Sequence, residues 1–155
     1  MTKLLLSLHV LAAIIAIGPV TVAASMFPAA VRRAEAAGRE GTAVSAVRLL
    51  HRICRVYAVV GIAVPIFGFA TASSLGVLTD PWLIASIVLT AAAAGILALL
   101  VLPGQQAVLA RFDGAGGAVE RRTTARLAML TGVFNVLWAV VTVLMIVRPG
   151  STTGV

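Results

Sequence analysis

Two histidines, one cysteine and four methionines are the side chains of this sequence best suited to hold a metal or cofactor. His9 lies in a long apolar stretch, roughly two turns from its start, at a depth where an imidazole needs a partner. It can ligate haem or a metal through one ring nitrogen, or donate to a carbonyl or hydroxyl of a neighbouring helix. A haem b held by His9 needs a second axial ligand at the same depth. Met145, near the end of the last apolar stretch, matches that depth, and ordinary packing is the other reading of its thioether. His51 sits beside Arg48, Arg52 and Arg55, at what reads as the opposite edge of the bilayer. Across a hydrocarbon core of about 30 Å the two histidines cannot share a ligand.

Other polar side chains read as structural. Asn135 and Trp138 fall in the middle of the last apolar stretch, where an amide serves as interhelical glue. Trp82 reads as an interface anchor, and Arg55 as a side chain that snorkels to headgroups. The single Cys54 excludes a disulfide framework and any CxxC motif; beside two arginines it is either a reactive or lipid-modified thiol or a packed, inert one. All five acids, Glu35, Glu40, Asp80, Asp113 and Glu120, lie outside the apolar stretches, which disfavours proton-coupled exchange through a buried carboxylate. With no Gly-rich phosphate loop and no nucleophile elbow, hydrolytic and phosphoryl-transfer chemistry has no support, and no catalytic residue is assigned.

The elements that must position these groups follow from composition. The 155 residues are 61% hydrophobic and 11% charged, with a mean hydropathy of +1.09, so the chain is expected to be a membrane protein with about four spanning helices and no separate soluble domain. The spans read as 4–31, 53–78, 82–102 and 127–147, a single membrane domain over 1–150, followed by a disordered tail at 151–155. The segment 32–52 has the Ala, Gly and Arg composition of a solvated loop with a helical turn or two, with Val44, Val47, Leu49 and Leu50 as an amphipathic approach to the membrane. Thr79-Asp80-Pro81 reads as a tight turn in which Asp80 caps the next helix and Pro81 occupies its first position. Pro103-Gly104-Gln105-Gln106 marks a membrane exit, past which the helix can continue to Phe112, and Asp113 to Gly117 a flexible turn. Gly68, Ala72 and Gly76, with Ala91 and Gly95, form small-residue faces suited to close helix approach, within one chain or between copies.

The +7 formal charge reports topology rather than nucleic-acid binding, because its arginines flank the apolar stretches. Ten of them (Arg32, Arg33, Arg39, Arg48, Arg52, Arg55, Arg111, Arg121, Arg122 and Arg126) fall on the side of the first and third connections, against Lys3 and Arg148 on the other. The expected orientation therefore has both termini outside and those connections in the cytoplasm. Lys3, the apolar stretch and the small residues around Ala23 and Ala24 also resemble a cleavable signal. Cleavage would strand the Arg32 to Arg52 segment on the wrong face, so the first helix is read as retained.

The stretch Leu8-His9-Val10-Leu11-Ala12-Ala13-Ile14-Ile15-Ala16-Ile17-Gly18 resembles the first helix of a broad group of small bacterial membrane proteins. The group includes copper-resistance protein D-like proteins, the membrane haem-containing protoporphyrinogen oxidase and four-helix families of unknown function, and the last of these look most similar. The resemblance implies an all-α four-transmembrane-helix bundle in the bacterial inner membrane, and in haem-binding members the matching histidine, here His9, is linked to the cofactor. The leading functional expectation is a non-enzymatic accessory or scaffold subunit in the lipid bilayer, self-associating or joined to a larger membrane complex. A haem-binding redox protein or oxidase using His9 is the second, and a small transporter the third.

Overall fold

In the computed structural model, which describes residues 2–115 and 117–150, four long helices run up and down. They are α1 (Thr2–Ala36), α2 (Gly41–Leu75), α3 (Pro81–Gly114) and α4 (Arg121–Val147), each long and apolar enough to cross a membrane. Among the described residues there is no strand. The connections α1–α2 and α3–α4 share one end of the bundle, called here the loop end. The α2–α3 turn, the start of α1 and the end of α4 share the other, called the terminal end. The tail at 151–155, expected to be disordered, lies outside the described residues, and so does Gly116 in the expected turn from Asp113 to Gly117.

The helices are longer than hydropathy alone implies. The segment 32–52, expected as a loop with a helical turn or two, is helical over most of its length: α1 continues to Ala36 and α2 begins at Gly41. Val44 and Val47 are buried and Leu50 half-buried at helical spacing, and that burial holds the helix, while Leu49 faces outward. Between the helices the chain reverses through Gly38, Arg39 and Gly41, all at positive φ. Arg39 is the non-glycine member, kept in this costly conformation by its side chain: the guanidinium donates to the Arg111 carbonyl, pairs with Glu35 at 3.6 Å and lies 5.2 Å over the Phe112 ring. Likewise α3 runs past Pro103-Gly104-Gln105-Gln106 to Gly114. Gln105 is buried there, and Asp113 accepts from Arg48 of α2. At the terminal end α2 stops earlier than 78, because Gly76 turns left-handed and caps it. Pro81 opens α3 as expected, but the Asp80 carboxylate does not cap the backbone; it accepts the Trp82 indole N–H at 3.0 Å.

The core is strung along α1. Ala16, Val20, Ala23, Phe27, Val31 and Ala34 are buried at spacings of three or four, a single stripe that faces the other helices. It passes through two clusters: Val20, Ala23 and Ala24 meet Cys54, Ala93, Leu97, Val101 and Phe134 at mid-depth, while Phe27, Val31 and Ala34 meet Val44, Val47, Val108 and Leu127 towards the loop end. A third, small cluster of Ala72, Trp82 and Leu83, with Met145 against it, lies at the terminal end. Hydrocarbon offers no hydrophobic drive for helices to associate, so close fit of small residues is what holds this bundle.

Candidate functional site

His9 occupies the seam between α1 and the terminal half of α2. Its Nδ1–H donates to the Val64 carbonyl at 2.9 Å, and its ring lies on Gly68, where a Cβ would stand only 2.9 Å from the imidazole Cε1. Gly68 is thus the residue that lets the ring reach the α2 backbone. Since a carbonyl only accepts, Nδ1 carries the proton and Nε2 is the nitrogen left to act as a ligand. Met145 packs by the cluster containing Ala72. That cluster also holds Trp82 and Leu83 of α3, which places Met145 of α4 at the terminal end of the bundle, the end that His9 also occupies.

The other polar residues serve contacts between helices. Asn135 donates from Nδ2 to the Ser25 hydroxyl of α1 at 3.2 Å. Trp82 is buried, held by Asp80 on one side and covered by Arg148 at 5.6 Å on the other. Arg55 is exposed on α2. His51 takes part in a relay that residue spacing could not reveal: its Nδ1–H donates to Gln105 Oε1 at 3.1 Å, and the Gln105 amide donates to Cys54 Sγ at 3.7 Å. Both Gln105 and Cys54 are buried, so the amide joins α2 to α3 and the thiol is packed away from solvent. The one signal for it in the sequence was a glutamine where α3 was expected to leave the membrane. Among the described residues no three His, Cys, Asp or Glu side chains gather into a metal-binding group.

Sequence reasoning also passed over a cavity at mid-depth. It holds about 160 Å³ and is lined from all four helices, with Val20, Tyr57, Ala58, Leu97, Phe134 and Trp138 among its walls. Two helices lose regular geometry beside it. In α2 the Ile62 N–H bonds to Val59, three residues back, rather than to Ala58, and Pro65 has no N–H to give to Gly61. In α3, Ile96–Val101 winds as a π-helix. Trp138 meets Phe134 edge-on, 6.3 Å between ring centres, and its Nε1–H is buried without an acceptor. The Asn135 Oδ1, one turn away on α4, is also buried and unpartnered.

The small-residue faces divide. Gly68 receives His9 and Ala72 is buried, whereas a Cβ on Gly95 would meet nothing within 4 Å. No curated protein and no solved structure matches the chain. A family model described as a predicted integral membrane protein (DUF2269) matches residues 3–149, and gives no support for a relationship to copper-resistance protein D or protoporphyrinogen oxidase. Four apolar helices and a match over nearly the whole chain lead to one assignment: the protein is an integral membrane protein and belongs to the DUF2269 family.

Proposed function

We propose that the chain is a non-enzymatic accessory or scaffold subunit of a membrane complex, and that the first half of α1 is the surface it offers to a partner. The observation behind this reading is that α1 has no buried residue before Ala16. Four turns of helix pack along the terminal half of α2 by one face, with, among the described residues, a single polar tie between them, His9 to Val64. In lipid such a segment gains little by standing apart, and a second helix laid along it adds packing at no hydration cost. The arginines of the loop end support a bacterial plasma membrane with that end in the cytoplasm. Site-directed crosslinking tests the proposal in a Cys54→Ser background carrying Leu11→Cys or, as control, Val136→Cys. A discrete adduct in native membranes at Leu11 and not at Val136, with its mass telling a second copy from a different protein, supports it. Equal or absent crosslinking at both positions overturns it.

A second reading, haem b held by His9, is favoured by the hydrogen bond that commits Nδ1 to Val64 and leaves Nε2 for the iron. Met145 of α4, also at the terminal end, is the candidate second ligand. When bound, the haem would supply one-electron redox chemistry; His9 and Met145 would hold it, and Gly68 would orient the imidazole. Oxidised and reduced absorbance spectra of the purified protein, wild type and His9→Ala, decide it. A Soret band lost in the variant supports haem, and a colourless protein expressed with ample haem rejects it.

A further inference from the structure

We infer that the mid-depth cavity is a binding site for a bilayer-dissolved, single-ring molecule with an oxygen acceptor on its ring, the chemical class of a quinone headgroup on an apolar tail. The cavity of about 160 Å³ is close to the roughly 150 Å³ of an apolar cavity that takes benzene. It is too small for a porphyrin and right for one substituted ring. Its walls suit the faces of such a ring, with Phe134, Leu97 and Val20 apolar and buried. Ile62, at its margin, is 58% exposed, so the space reaches the lipid-facing surface and a tail can remain outside.

Three further observations point to a guest that accepts a hydrogen bond. The Trp138 Nε1–H has no partner among the described residues, although a buried indole N–H normally finds one. Tyr57 and Thr90 are further polar residues of the lining; a ring carbonyl would fill the space, and a small rotation of the Trp138 ring would bring its Nε1–H to that oxygen. The helix irregularities flank the same space: the α2 break at Gly61 and Ile62 and the π-helical turns of α3. Departures of this kind mark functional positions in membrane helices, because regular backbone hydrogen bonding is given up in lipid only where something else is served.

The test uses tryptophan emission in nanodiscs. Trp82→Phe leaves Trp138 as the sole indole of the full-length protein, and a decyl-benzoquinone is titrated as the probe. Saturable quenching is expected. It should be abolished by Ala58→Leu, which fills the cavity, or by Thr90→Ile if the first variant does not keep wild-type helicity and elution. Decylbenzene, which has the ring and tail without the oxygens, should compete at concentrations about five- to tenfold higher, the loss of one hydrogen bond. Equilibrium dialysis of Trp138→Phe should show a similar loss of quinone affinity. Quenching that rises linearly with the quinone-to-lipid ratio and is unchanged in a folded cavity-filled variant overturns the site. Equal competition by decylbenzene overturns its requirement for an acceptor.

Discussion

The first half of α1 is the richer in bulky hydrophobic residues, yet it is the second half that forms the core. Leu4, Leu11, Ile14 and Ile15 are each more than half exposed, whereas Ala16, Ala23, Ala24 and Ala34 are at most 2% exposed. In water this order would be perverse. In lipid it is expected, because transferring a leucine from acyl chains to a protein interior gains little, while an alanine lets two backbones come close enough for dispersion and interhelical hydrogen bonds to act. Polar ties follow the same division. Near the second half, Arg39 reaches the Arg111 carbonyl and Glu35 accepts from the Val119 N–H at 3.0 Å; among the described residues the first half has only His9. Where buried side chains and polar ties are both few, local opening is expected to be easiest.

Truncation at the core of the second half should have the largest effect. Phe27→Ala removes a ring that is 1% exposed, and unfolding in detergent or by steric trapping should show a loss near the lower end of about 3–5 kcal/mol, since the transfer part is reduced in lipid. Enlarging a small residue should come next: Ala24→Leu adds bulk where α1 meets its neighbours and should cost about 1–3 kcal/mol by overpacking. If Ala24→Leu were instead neutral, close approach would not be what separates the two halves. Gly68→Ala should cost about 1 kcal/mol by pushing the His9 ring off Val64; hydrogen exchange should rise in Thr2 to Ile15 and not in the second half of α1. Leu11→Ala should change stability by less than about 0.5 kcal/mol in the isolated chain. A larger loss for Leu11→Ala only in native membranes would locate the partner contact proposed for this segment.

Much of the candidate site was legible because isolated polar residues stand out against an apolar background. His9 and Asn135 could be singled out from depth alone, and each has an interhelical hydrogen bond. Gln105 could not, because the Pro-Gly pair before it reads as a membrane exit; its burial against Cys54 and His51 is a contact between distant segments. Trp82 was read by its residue type as an interface anchor; its pairing with Asp80, the cover of Arg148 and its burial could not be read from that type. The cavity was illegible for a different reason: it is formed by no motif, only by the meeting of a break in α2 with π turns in α3.

By itself the sequence determined that this is a four-helix membrane protein, since hydropathy and span length are properties of local composition and bilayer thickness. It also determined the segregation of the arginines, because that depends on the order of charges along the chain. Only the tertiary structure decided where the helices end and which residues pack. In a membrane nearly every helical face is apolar, so the buried face is chosen by the fit between surfaces of distant segments, and a one-dimensional pattern of hydrophobicity does not carry that information.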